Sequence, residues 1–133
     1  MIHIEIINAL SDNYIYLLRN DKENITAVID PGEAEPISRF LRDNNLNLNQ
    51  IINTHHHNDH TGGNKELKKI WGATIIAPSY EKGRIPNVDI YVSEGDSISI
   101  AGENAQVIHT PGHTLDHICC LLYTSPSPRD VEE

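Results

Sequence analysis

The sequence predicts an α/β fold, and three observations carry that prediction. Short runs rich in β-branched residues recur at 3–7, 14–18, 25–29, 74–77, 88–92 and 97–100, which is the length and composition of strands. Two intervening stretches space their apolar residues at i, i+3 and i+4, the period of an amphipathic helix. Proline and glycine separate the two kinds of segment, as at Asp30-Pro31-Gly32 and Gly72. Strands interleaved with short helices indicate sheet and helix layers around a shared core.

Residues 3–7 and 14–18 are the first two strands. The polar run Arg19-Asn20-Asp21-Lys22-Glu23-Asn24 joins the second to a third at 25–29, as in a hairpin. Asp30-Pro31-Gly32 stops that strand, because proline has no ladder donor and glycine allows a turn. Pro36 suits the first turn of a helix whose apolar positions are Ile37, Phe40 and Leu41, with Glu33 and Glu35 near its positive end and its expected end near Asn44. Residues 50–54 form a short apolar strand. Asn64 is expected to cap a second helix with an apolar face of Leu67, Ile70 and Trp71, ended by Gly72. Strands at 74–77, 88–92 and 97–100 follow, with Pro78, Pro86 and Gly95 in their connections. After Gly102, a strand at 105–109 delivers the chain to Thr110-Pro111-Gly112-His113-Thr114.

At 133 residues the chain is one domain long or part of one, and with 38% hydrophobic and 5% aromatic residues its core is expected to be aliphatic. Lys plus Arg total 10 against 19 Asp plus Glu, a net charge of -9. Such a balance disfavours phosphate backbones and anionic membranes as partners, and it accommodates divalent cations, which relieve self-repulsion. The amino terminus lacks a basic region followed by a long apolar run, so a signal peptide is not expected and a cytoplasmic location is. Cys119 and Cys120 are sequence neighbours and make no disulfide framework, in keeping with a reducing compartment.

The stretch 55–60 carries four histidines and an aspartate, and nothing else in the chain is as dense in metal-ligand side chains. On an extended segment residues two apart point the same way, so His55 and His57 can converge on one cation. After a bend, Asp59 and His60 can turn to a second, and Gly62-Gly63 permits that bend. Neutral imidazole and carboxylate suit Zn2+, and a catalytic zinc takes three protein ligands with one position open. His113, in a Pro-Gly-His-Thr turn, is the candidate third ligand. Asp59 is the candidate catalytic carboxylate as well as a ligand. His3, His56 and His109 read as surface or structural residues.

The stretch 54–63 together with 110–117 resembles the metallo-β-lactamase superfamily, and within it the chain resembles the glyoxalase II or hydroxyacylglutathione hydrolase family. Asp12-Asn13-Tyr14-Ile15-Tyr16, Asp30-Pro31-Gly32 followed by Glu33-Ala34-Glu35-Pro36, the triple-histidine metal loop and Pro111-Gly112-His113-Thr114-Leu115-Asp116-His117-Ile118 match in order. The resemblance covers residues 1–119. It implies an αβ/βα sandwich, of which this chain holds mainly the N-terminal half, in a truncated domain. It implies two divalent metal ions, zinc foremost with iron or manganese as alternatives, the first on His55, His57 and His113 and the second on Asp59 and His60. The implied reaction is hydrolysis of the thioester S-D-lactoylglutathione to D-lactate and glutathione by metal-activated water. From charge no nucleic acid or membrane partner is expected, and the sequence does not identify the oligomeric state, a monomer being the default expectation. Asp30 reads either as a support for the metal loop or as a plain turn residue. Asp116 is assigned no role.

The family's bridging aspartate, last histidine ligand and glutathione-binding helical region have no counterpart here. The chain as it stands is therefore expected to be inactive, to expose apolar sheet surface and to dissolve poorly. Residues 120–133, with two Ser-Pro steps, resemble a translated sequencing-library adapter and are expected to be non-native, the alternative being a natural Pro/Ser-rich tail. The rival readings are a mononuclear iron persulfide dioxygenase of the same fold, which would leave Asp59 and His60 unliganded, a non-catalytic metal-binding module and, more weakly, a secreted β-lactamase.

Overall fold

The β-branched runs at the amino terminus pair as a meander. β1 (Ile2–Ala9) lies antiparallel to β2 (Asn13–Asn20), with His3 opposite Arg19 and Ile7 opposite Ile15. β2 lies antiparallel to β3 (Ile25–Ile29), joined by the expected polar turn, which Asn24 closes in the left-handed conformation (φ 57°) that asparagine tolerates. A computed structural model of the chain describes residues 2–9, 13–54, 61–79, 82–109 and 118–122.

From β3 onward the sheet becomes parallel, and parallel neighbours need crossovers. α1 (Glu35–Asp43) carries the chain from β3 to β4 (Gln50–Ile52), and α2 (Asn64–Trp71) carries it on to β5 (Thr74–Pro78). β6 (Ile90–Val92) adds in parallel, giving a six-stranded sheet in the order β1-β2-β3-β4-β5-β6. β7 (Ser97–Ile100), β8 (Glu103–His109) and β9 (Ile118–Leu122) form a second, antiparallel sheet.

Alternation along the central strands feeds two cores. Ile51 and Ile75 join Ile15, Leu17, Ile37, Leu41 and Leu67 on the helix side, while their neighbours Ile52 and Ile76 join Leu18, Val92, Ile100 and Val107 on the side of the second sheet. Strands covered on both faces read as continuous apolar runs rather than alternating ones, which is why 25–29 and 74–77 carry so few polar residues. Each fully buried aliphatic side chain contributes about 1.5–3 kcal/mol. The layers are helix, sheet, sheet. Among the described residues no helix is long and apolar enough to cross a membrane.

Three expectations need correction. Asn64 does not cap α2; the cap position is Gly63, with no side-chain bond, and Asn64 is a buried residue inside the first turn. Ile70 does not share the apolar face, being 50% exposed, because the inward row is Asn64, Leu67 and Trp71 and residue 70 sits about 100° round the helix from residue 71. Trp71 instead ties α2 to α1, its Nε1 donating to Ser38 Oγ at 3.1 Å.

The third correction is that β6 begins at Ile90 rather than at 88. The Asp89 carboxylate accepts the backbone N–H of Ile75 at 2.9 Å, a donor that a longer ladder would have used, and it also accepts Lys68 Nζ. The Lys68 hydrogen bond first, then that of Ile75, holds the Asp89 carboxyl below the usual carboxylate range. A folded-state value below the unfolded one gives stability that is present above about pH 4 and lost as pH falls through the folded value. Asp89→Asn is therefore expected to lower the denaturation midpoint at pH 7 and to converge with the unchanged chain as pH falls through the lowered folded-state value, as thermal melts from neutral to acid pH will check.

The outer face of β1 and β2 carries exposed apolar side chains, as expected. Ile4 and Ile6 are 61% and 60% exposed, and Tyr16, opposite Ile6, is 45% exposed. They share a face with Leu18, which belongs to the inter-sheet core. An apolar edge of this kind promotes association. Ile4→Thr combined with Ile6→Thr is expected to reduce light scattering at a given protein concentration while shifting the melting midpoint little, since neither side chain is buried.

Candidate metal centre

His55, His57, Asp59, His60 and His113 all lie outside the described residues, as do His56 and Asp116. The described residues on either side of them show how the two stretches are anchored. Thr54, immediately before His55, is gripped by Asp30 at the end of β3: its backbone N–H donates to Oδ1 at 2.8 Å and its hydroxyl to Oδ2 at 2.6 Å. Asp30 itself is buried, has φ 52° and donates its N–H to the Ile52 carbonyl at 2.8 Å. A carboxylate committed to Thr54 through both oxygens is a support for the segment that follows, which decides between the two readings of this residue.

The far side of the stretch is fixed to the next residue along, Pro31. The Gly63 N–H donates to the Pro31 carbonyl at 2.7 Å. A Cβ on Gly63 would come within 2.8 Å of the Glu33 carbonyl carbon and 2.9 Å of Ala34 N and Pro31 O, so only glycine fits this approach. A third tie joins Asn53 to Asn64: Asn64 Nδ2 donates to Asn53 Oδ1 at 2.5 Å, and Asn53 Nδ2 to Asn64 Oδ1 at 3.4 Å. Sequence reasoning missed this pair. The signal was an asparagine on each side of the histidine-rich stretch, read instead as a strand end and a helix cap.

Topology brings the described residues that flank the second stretch, His109 and Ile118, to the same end of the sheet. β3 to β6 run parallel, so Asp30, Thr54 and Ser93 sit at their common carboxyl end. A turn in which Ser93 N donates to Asp96 Oδ2 at 2.7 Å leads into β7. β7 runs away to the opposite end, where Gln50 at the start of β4 bonds Ser99 O at 2.6 Å and Ala101 N at 2.8 Å, and Asn20 Nδ2 donates to Ala101 O at 2.9 Å. β8 then returns, with Val107 N donating to Asp96 O and accepting Gly95 N on its own carbonyl, both at 2.9 Å. Its end at His109, paired with Ile118 of β9, is thus at the carboxyl end of the parallel strands, and residues 110–117 connect the two strands there. Open α/β sheets bind ligands outside the carboxyl ends of their strands.

Among the described residues no group of three or more His, Cys, Asp or Glu could hold a metal ion. The sequence-predicted ligand set, His55, His57, His60, His113 and Asp59, is four imidazoles with one carboxylate, the ligand chemistry of zinc and of its first-row neighbours. The set fits a divalent metal. His3 is on the surface, 2.9 Å from Asp21, in keeping with its reading as a non-ligand.

A family described as the metallo-beta-lactamase superfamily matches residues 10–123. Hydroxyacylglutathione hydrolases of Pelagibacter ubique, Nostoc punctiforme and Pseudomonas putida are 48%, 47% and 44% identical, over 93%, 84% and 96% of this chain and 52%, 44% and 49% of theirs. The chain therefore spans about half the length of the curated relatives it matches. Among solved structures, the BLEG-1 B3 metallo-beta-lactamase superposes with a TM-score of 0.77 at 22% identity, covering 92% of this chain and 67% of that one. ETHE1 from Myxococcus xanthus superposes with a TM-score of 0.71 at 29% identity, covering 89% of this chain and 54% of that one.

Proposed function

We propose, on the premise that this chain belongs to the metallo-beta-lactamase superfamily, that the whole protein is a hydroxyacylglutathione hydrolase converting S-D-lactoylglutathione to D-lactate and glutathione. The observation that carries this reading is identity of 44–48% to hydrolases of that name over most of the chain. Membership in the superfamily implies divalent metal binding. His55, His57 and His113 hold the first ion and Asp59 and His60 the second, with zinc foremost and iron or manganese as alternatives. A metal held there would supply water activated at neutral pH, its pKa lowered to about 7, and a Lewis acid for the thioester carbonyl.

The chain's own residues do the rest. Asp59 is the single carboxylate among the proposed ligands and so the group that would take the proton water gives up on becoming hydroxide, passing it on to solvent. A thiolate leaving group has a conjugate acid of pKa about 8.5, so its expulsion needs no proton donor from the chain. Asp30 and Pro31 anchor Thr54 and Gly63, the described residues on either side of the ligand-bearing stretch, which lowers the ordering cost of binding a metal. In this reading residues 1–119 are the N-terminal part of the catalytic domain and 120–133 a non-native tail. The protein is cytoplasmic and monomeric, and residues 1–133 alone turn over thioester negligibly.

The test is a graft of residues 1–119 onto the C-terminal half of the Pelagibacter ubique relative, which is 48% identical. Hydrolysis of S-D-lactoylglutathione by the folded, metal-loaded graft is expected, with loss of about a hundredfold or more in kcat/KM for His57→Ala. A folded, metal-loaded graft that leaves this thioester intact contradicts the proposal.

A further inference from the structure

We infer that Asn53 and Asn64 form a clasp across the base of the histidine-rich stretch and are positioning residues for the ligands it carries; the inference rests on the metal reading of that stretch. Both side chains are buried, Asn53 at 0% and Asn64 at 3% exposure, and they face one another in a reciprocal amide pair. Each partner is held independently. Asn53 continues the β4 ladder, its N–H donating to Ile76 O at 2.9 Å. Asn64 is the first residue of α2, whose position is set by Leu67, fully buried in the helix-side core.

Two buried amides are a poor way to fill space. Each costs desolvation that hydrogen bonding must offset, and two apolar side chains of similar shape would hold the same volume about as well. What the amide pair adds is register. An apolar contact tolerates sliding, whereas a two-bond pair fixes where the end of β4 sits against the start of α2. The residues between are 54–63, and ligands close in sequence to their anchors inherit that register. Among the described residues, Asp30–Thr54, Pro31–Gly63 and the clasp give the stretch three cross-ties.

The experiment uses the 133-residue chain and the double substitution Asn53→Leu/Asn64→Leu, which removes the pair without leaving an orphaned amide. Hydrogen exchange of the metal-free chain is expected to speed up about tenfold or more within 54–63 while β2 and β3 keep their protection. The Kd for zinc, measured by competition with a chromophoric chelator, is expected to rise about tenfold or more with little change in melting midpoint. Unchanged exchange in 54–63 overturns the inference whether or not metal binds. Faster exchange with an unchanged zinc Kd overturns the positioning role. Should the unchanged chain take up no zinc, the metal reading fails and this inference with it. If the double variant does not fold, Asn64→Ser, which is too short to reach Asn53, is judged by the same two readouts.

Discussion

Gly63→Ala is expected to destabilise the chain by about 3 kcal/mol or more, the upper end of what overpacking costs. The backbone at Gly63 is ordinary (φ -92°, ψ -4°), and at such a position alanine usually stabilises by about 0.4–1 kcal/mol through the unfolded state. The sign reverses because the new Cβ would lie 2.8–2.9 Å from Glu33 C, Ala34 N and Pro31 O, all backbone atoms of the link between β3 and α1. No rotamer change relieves such a clash; either α2 or residues 31–34 must move. Gly72→Ala offers the contrast. Nothing lies within 4 Å of its Cβ, but φ is 73°, so a cost of about 1 kcal/mol is expected from backbone strain alone. Urea denaturation of both variants will separate the two causes, and a Gly63→Ala midpoint equal to that of the unchanged chain would show that Gly63 does not approach the Pro31 backbone so closely.

Asp30→Ala is expected to be the second largest loss, about 3–4 kcal/mol, from two hydrogen bonds to a carboxylate that each contribute about 1.5–3 kcal/mol and are partly coupled. Both run from Thr54, at 2.8 and 2.6 Å, and they disappear together. An alanine at φ 52° adds strain of about 1 kcal/mol. An asparagine in the same place would keep the acceptor for the Thr54 N–H and tolerate the left-handed backbone, so Asp30→Asn is expected to lose about half as much. Both variants are expected to weaken zinc binding, alanine more than asparagine, because Thr54 is bonded in sequence to His55. Chelator competition together with denaturation midpoints will read the two effects separately.

Most of the architecture was legible because periodicity and punctuation agreed. The strand at Ile25–Ile29 and the helix led by Pro36 emerge where β-branched run, turn and helix-spaced apolar set all point the same way. Two of the three failures have a common cause, which is that a side chain took a tertiary partner that local rules do not see, and the third is a matter of helix geometry. Asn64 has the chemistry of a cap but spends its amide on Asn53, 11 residues away. Ile70 has the hydrophobicity of a core residue but lies off the row set by Leu67 and Trp71. Asp89 captures the Ile75 N–H and so shortens β6. At the candidate centre, sequence alone proposes the donor set, since spacing of His55, His57, Asp59 and His60 is a strong chemical signal, and these residues lie outside the described ones. It could not supply the anchoring, because Asp30–Thr54 and Pro31–Gly63 join residues whose proximity only the β3–β4 register creates.

The zinc content of the purified 133-residue chain after equilibrium dialysis tests the metal centre most directly. About one bound equivalent is expected, held by the three-histidine site, together with its loss when His55, His57 and His113 are replaced together by alanine. Absence of zinc from the folded chain, or the same zinc content after that triple replacement, would contradict a metal centre built on these residues.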